Sequence, residues 1–246
     1  MVFIFGLVLG SFYNVVAYRL PNDMSLVYPS SHCPNCNYRL KWYDNIPLFS
    51  YIFLGGKCHN CKKHITFRYT LVELANTILW LACAYLFKEN LIYAIISMFV
   101  CSICIIIFFI DLEHMIIMDR FQLMMLVLAV LVIIFDNTYL WYSHLIGMAV
   151  AGLVNYIIVI IMNKILKKDS LGGGDIKFFI ISGLLLGWER YILMMLVASI
   201  TAAIFMLIRM KKHGNKETAF APFLTSGLIF ALFFGEMILE WYFKLF

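Results

Sequence analysis

The chain has 246 residues, of which 63% are hydrophobic and 13% charged, with a net charge of +5 and a mean hydropathy of +0.90. A soluble domain of this length carries roughly twice that charged fraction, and so few polar residues cannot cover one oversized core. These figures exclude an ordinary soluble protein and point to a polytopic helical protein of the lipid bilayer.

The first apolar run, residues 2–18, has no basic stretch before it; Arg19 follows it instead. That pattern predicts a retained first membrane helix and not a cleaved secretory leader. Seven further runs follow, at about 70–87, 91–110, 121–135, 140–162, 176–188, 190–208 and 219–240. The sixth run in chain order is short enough to be a tilted or partial span. The expected fold is therefore an all-α polytopic membrane protein with about eight transmembrane helices and one small polar module. Assigning each basic residue to its loop places 16 of the 19 Lys and Arg on one side, with only Lys88, Arg190 and Lys244 on the other. The positive-inside rule makes the first side cytoplasmic. It also accounts for the net charge without a nucleic-acid partner.

The polar module is the loop 20–69. It carries Cys33-x2-Cys36, then 21 residues, then Cys58-x2-Cys61. Two such knuckles can place four thiolates around one Zn²⁺. Two disulfides are the alternative, but this loop falls on the reducing side of the membrane, where metal binding is favoured. A four-thiolate site is closed, hence structural and not hydrolytic. His32, His59 and His64 stand nearby as alternative ligands or bystanders. Cys83, Cys101 and Cys104 lie in apolar segments and read as small hydrophobes of packed helices.

Two aspartates mark the chemistry. Asp111 follows the run ending at residue 110, and Asp175 precedes the run 176–188; the charge-derived topology puts both on the cytoplasmic side at similar depth. A carboxylate at the hydrocarbon edge needs protein or water around it. Two such carboxyls a few ångströms apart cannot both ionise, so they share a proton, and a pair of this kind can activate water against a peptide bond. Gly172, Gly173 and Gly174 before Asp175 would allow positive φ or a close approach of backbone. The plain alternative is a glycine loop with Asp175 as a helix N-cap. Asp119 is a rival for the first position and otherwise a supporting residue. Glu113 and His114 read as a solvated connector.

At these residues the chain resembles the bacterial type IV prepilin leader peptidases, a family with a GxGD aspartyl motif. The blocks that carry the resemblance are GSFYNVVAYRLP at 10–21, the CPNC and CHNC pairs, FLGGKC at 53–58, ITFRYTLVE at 65–73, DLEHMIIMD at 111–119, GGGDIK at 172–177 and APFLTSG at 221–227. They occur in the expected order along the whole chain. The resemblance implies Asp111 and Asp175 as the catalytic pair, supported by Asp119, Gly172, Gly173, Gly174 and Lys177. It implies cleavage of a short basic leader from prepilins and pseudopilins at the inner face of the bacterial cytoplasmic membrane. Glu113, Asp119 or Asp169 would offer the leader a complementary charge. Members with the four cysteines also N-methylate the new terminus using S-adenosylmethionine, and Gly56, Arg68 and Glu73 are the candidates for that second site. Glu73 is alternatively a helix-start charge paired with Arg68. Met118 stands where the family usually has proline. The expected division is 1–19 as first helix, 20–69 as zinc loop associated with methyl transfer, and 70–246 as the peptidase domain.

Competing readings are a transporter whose two aspartates bind a cation, and a non-catalytic assembly factor docking through the metal loop. The sequence does not fix the oligomeric state.

Overall fold

The computed structural model describes residues 1–136, 140–166, 172–213 and 218–245. It is helical, with two isolated β-bridges in the polar loop in place of strands among the described residues. The helices are α1 (Val2–Arg19), the short α2 (Phe49–Phe53), α3 (Arg68–Leu86), α4 (Leu91–His114), α5 (Asp119–Phe135), α6 (Trp141–Leu166), α7 (Gly173–Leu186), α8 (Trp188–His213) and α9 (Ala221–Phe243). Each of the eight expected spans corresponds to one long helix. Among the described residues six are long and apolar enough to cross a membrane; α5 and α7 have 17 and 14 residues. At 1.5 Å per residue α7 reaches about 21 Å, short of a hydrocarbon layer of about 30 Å, so the expected partial span is present. From Phe178 to Gly187 none of its residues is exposed.

The chain divides into two compact units, Met1–Lys88 and Glu89–Phe246. In the first, α1 packs on α3, so this unit extends through α3. A Gly-xxx-Gly step in α1 allows this. A Cβ at Gly10 would lie 2.8 Å from the Glu73 Cα, and one at Gly6 would lie 3.0 Å from the Thr77 Cα. Small residues at such spacing let helix backbones approach in a medium that offers no hydrophobic drive. Asn76 donates to the Gly6 carbonyl at 2.8 Å across the same seam. Arg19 closes the end of α1. It is buried, and its guanidinium donates to the carbonyls of Ser25 (2.9 Å) and Pro29 (2.6 Å), strapping down the start of the loop.

In the second unit α7 is surrounded by α5, α6, α8 and α9. Gly147 of α6 and Gly183 of α7 meet backbone to backbone, each where a side chain would strike the other's carbonyl. Asn90 caps α4 by accepting the Tyr93 N–H (3.1 Å) and donates to the Phe135 carbonyl at the end of α5 (2.8 Å). A buried ion pair sits at this end of the unit. Arg190 Nη2 lies 3.0 Å from Asp136 Oδ2, and Arg190 also donates to the Leu186 carbonyl (2.8 Å) and towards the Tyr93 hydroxyl (3.4 Å). Arg190, expected in a loop, is thus an interior residue of the first turns of α8.

Candidate active site and metal centre

The four loop cysteines converge. Their sulfurs all lie within 4.8 Å of one another, with Cys33–Cys61 and Cys36–Cys58 separations of 3.9 Å. That is far beyond an S–S bond and close to the edge of about 3.8 Å that a tetrahedron with 2.3 Å Zn–S bonds requires. The cluster therefore fits a tetrahedral metal ion.

Two copies of one local turn build it. The Cys33 N–H donates to Tyr38 O and the Asn37 N–H to Cys33 O; the Cys58 N–H donates to Lys63 O and the Lys62 N–H to Cys58 O. Asn37 and Lys62 both adopt positive φ, 55° and 58°. Each turn is closed by a bridge, His32 with Arg39 and Lys57 with His64. Backbone N–H groups face the sulfurs. That of Tyr38 brings the Cys36 thiol down to about 7, and those of Cys61 and Asn60 lower Cys58. The Lys63 N–H acts on Cys61 in the same direction, but burial and the three neighbouring thiols outweigh it and hold Cys61 at about 11. Four thiols this close cannot all ionise without a cation between them. His59 is turned away, with Nδ1 3.3 Å from Asp44 Oδ1 and its ring stacked on Tyr38. His32 Nδ1 meets the Ser30 carbonyl at 2.9 Å.

In the second unit Asp111 is not beyond α4 but in its last turns, and it is buried. The helix ends at Met115, whose φ of 54° is left-handed and whose N–H returns to the Asp111 carbonyl. Asp111 Oδ2 accepts the Ala221 N–H at 2.8 Å, and the Phe220 N–H also reaches the carboxyl. The side chain therefore sits on the N-terminus of α9, where free amides and the helix dipole compensate a negative charge. This gives the APFLTSG block a physical role, since it opens the helix that Asp111 caps.

Asp175 lies in the first turn of α7, half-buried. The N-cap is Gly172, not Asp175; the Asp175 carboxyl reaches back to the Gly172 N–H. The charge of Asp111 acts on Asp175, so α4 and α7 place the two carboxyls within electrostatic range of each other. Phe179, one turn beyond Asp175, packs its ring against Phe220 beside Ala221, with centroids 6.4 Å apart.

None of Gly172, Gly173 and Gly174 has positive φ; the conformational role expected of them is replaced by a steric one. A Cβ at Gly174 would come within 3.2 Å of Ile117 Cβ, and one at Gly172 within 3.2 Å of Asp175 Oδ2. Gln122, which the sequence reading passed over, donates to the Gly174 carbonyl at 2.9 Å from a buried position on α5. A lone amide within the apolar run FQLMM was the available signal. Asp119 is exposed and paired with Lys177 at 2.6 Å, tying the start of α5 to the start of α7. Glu113 is exposed and His114 half-buried at the end of α4; Asp169 lies outside the described residues. Met118 has φ of −73°, a value a proline ring adopts, so the turn is proline-like without the ring.

Of the remaining candidates, Glu73 is buried and accepts the Leu48 N–H at 2.8 Å. Gly56 has φ of +68° and faces the Tyr51 ring. Arg68 begins α3.

An all-helical membrane architecture with two interacting carboxyls at helix ends, and a four-thiol cluster in a separate unit, defines a polytopic protein of the bilayer with acid–base potential. Comparison with known proteins narrows that class. Residues 4–87 match the Bacterial Peptidase A24 N-terminal domain, and residues 98–207 match the Type IV leader peptidase family. A prepilin leader peptidase/N-methyltransferase of Bacillus subtilis is 33% identical, covering 100% of this chain and 98% of that protein. One from Legionella pneumophila is 31% identical over 97% of this chain and 92% of its own length, and one from Aeromonas hydrophila is 28% identical over 98% and 92%. No solved structure matches. The chain belongs to the type IV leader peptidase family.

Proposed function

We propose that this protein is a membrane aspartyl endopeptidase that removes the short basic leader of type IV prepilins and pseudopilins at the cytoplasmic face of the bacterial inner membrane. We further propose that it N-methylates the exposed terminal residue with S-adenosylmethionine. The observation that carries the first reading is that Asp111 and Asp175, far apart in sequence, lie at the ends of α4 and α7 within electrostatic range of each other. The identity of the relatives carries the second.

In the peptidase reaction the two carboxyls share one proton and titrate as a unit. The ionised member takes a proton from water as the oxygen attacks the scissile carbonyl. The protonated member hydrogen-bonds that carbonyl and then supplies the leaving amine. The Ala221 and Phe220 amides hold Asp111, Gly172 holds Asp175, and the Gln122 bond fixes the backbone of the glycine run. Asp119 and Lys177 act from the surface by holding α5 and α7 in register. The excess of basic residues in one set of loops supports a cytoplasmic active site. A leader with basic residues stays on that side while the following apolar helix enters the bilayer, so the scissile bond lies at the same interface. Glu113 stands exposed at the end of α4 and Asp119 is paired with Lys177; either would present negative charge to the leader.

Cys33, Cys36, Cys58 and Cys61 would hold one Zn²⁺, whose charge permits all four thiolates and staples a loop too small to bury a core of its own. The zinc loop and the helices packed with it form the unit associated with methyl transfer, and Glu89–Phe246 forms the peptidase.

The test is mass spectrometry of a co-expressed prepilin. Asp111→Asn keeps an acceptor for Ala221, and Asp175→Asn keeps one for Gly172, so both variants fold. Each is expected to lower leader removal by at least about a hundredfold. Wild-type cleavage by either variant would refute the peptidase assignment and favour a transporter or an assembly factor.

A further inference from the structure

The metal-bearing loop keeps a surface that does not suit water. Val27 is 88% exposed, Trp42 79% and Phe53 85%, although all three lie in the segment whose composition reads as polar. α2 turns Ser50, Tyr51 and Leu54 inward, towards a cavity shared with α1 and α3. It leaves Phe49, Ile52 and Phe53 exposed, at the spacing of one helical face. Apolar surface left outside in this way marks contact with a membrane or a partner.

Val27, Trp42 and Ile46 do not stand alone. They line one groove of about 540 Å³ together with Val8, Phe12 and Val15 of α1. Val8 and Phe12 are exposed on a helix long and apolar enough to cross a membrane, so that face of α1 belongs to lipid. From Val8 to Arg19, both in its lining, the groove follows α1 for about 16 Å at 1.5 Å per residue. The loop is thus folded back along the spanning helix and does not stand clear of its end. The bonds from Arg19 to the Ser25 and Pro29 carbonyls hold it there.

The exposed charge of the loop is mostly of one sign. Arg39, Lys41, Lys57, Lys62 and Lys63 are exposed. Of the acids, Asp44 is buried and engaged by the Lys41 N–H and the His59 ring, which leaves Asp23 outside. Lys41 Nζ stands 5.6 Å from the centre of the Tyr43 ring, and that ring packs edge-on against Trp42 with centroids 5.6 Å apart. Tryptophan and tyrosine gather where headgroups meet acyl chains, and basic side chains there attract anionic lipid. Ser30, Ser31 and Asn45 add hydrogen-bonding groups to the groove.

We infer that this groove binds an anionic phospholipid of the surrounding bilayer, with an acyl chain along Val8, Phe12 and Val15 and the phosphate on the Lys41 side. Such a lipid answers both the apolar wall and the cations beside it. A helix preceded by a basic leader would match the wall but be repelled by those cations. The site makes the loop an interfacial module, anchored in the bilayer surface and not suspended in solvent. The inference rests on the membrane architecture alone, so its failure would leave both catalytic readings standing.

The test uses full-length protein in nanodiscs whose lipids carry bromine on the acyl chains, with phosphatidylglycerol replacing phosphatidylcholine stepwise. The Trp42 signal is the difference between wild type and Trp42→Phe, because Trp80, Trp141, Trp188 and Trp241 are common to both. That signal is expected to be quenched, and increasingly so as the anionic fraction rises. Lys41→Gln is expected to raise the anionic fraction at half-maximal quenching about fivefold, the contribution of one basic residue at an anionic surface, at an unchanged thermal transition. Val27→Trp places a second indole in the same groove and should report the same dependence. A Trp42 signal unquenched in every lipid overturns the site, as does quenching that ignores the anionic fraction. Shielding of Trp42 that appears only when a prepilin is added, or only as the protein self-associates, also overturns it, in favour of a substrate helix or a second copy.

Discussion

Removing either partner of the buried Arg190–Asp136 pair should damage the protein far more than removing both. Arg190 is 3% exposed and Asp136 is 8% exposed, with 3.0 Å between Nη2 and Oδ2. In Asp136→Leu the guanidinium loses this carboxylate and keeps the Leu186 carbonyl and the Tyr93 hydroxyl. In Arg190→Met the carboxylate loses the guanidinium and keeps its approach to His144 Nε2, at 3.9 Å. An uncompensated charge at such burial costs about 3–5 kcal/mol, whereas exchange of a whole buried pair for apolar residues is often near neutral. The double variant should therefore be more stable than either single one, with a coupling energy of at least about 2 kcal/mol. The assay is reversible unfolding of the detergent-solubilised protein in mixed micelles, followed by tryptophan fluorescence for all four members of the cycle. If the two single losses simply add in the double variant, the pair is not coupled and its role as a clamp on α4, α5 and α8 is wrong.

Two other predictions concern the loop and the turn before α5. Purified protein is expected to carry about one zinc per chain by elemental analysis; Cys58→Ser should remove most of it and lower the thermal transition of the N-terminal unit, and full zinc retention would argue against a four-thiolate site. Met118→Pro should stabilise by about 0.4–1 kcal/mol, because the native φ already suits the ring and only the unfolded chain is restricted. A lower melting temperature in that variant would show that the turn resembles proline geometry in φ alone.

The helices were legible because a bilayer imposes a crude rule, and long apolar runs have few other fates. Each of the eight long helices sits within a few residues of an apolar run. The errors fall where a helix end is set by partners and not by hydropathy. α4 continues past residue 110 to His114, so Asp111 belongs to the helix and not to the loop. α8 begins at Trp188 and takes Arg190 inside. The four cysteines were legible because metal spacing is local. The Ala221 amide on Asp111, the Gln122 bond to Gly174 and the pairing of Asp119 with Lys177 were not, since each joins residues that only the packed bundle makes neighbours. The glycine run has no unusual φ; its crowding comes from Ile117 and from Asp175 itself, which no spacing rule shows. The Gly6–Gly10 step was present in the sequence and unused, because its meaning depends on knowing that α3 is the helix it faces.

The short α7 also bears on how the enzyme tolerates its lipid. An outer helix must match the thickness of the bilayer or tilt to accommodate it. α7 is walled in by α5, α6, α8 and α9 and has no exposed residue from Phe178 to Gly187, so acyl chains exert little pull on it. The depth of Asp175 is then set by the surrounding helices. Membranes of different chain length should adjust around the periphery of the bundle before they displace that carboxyl.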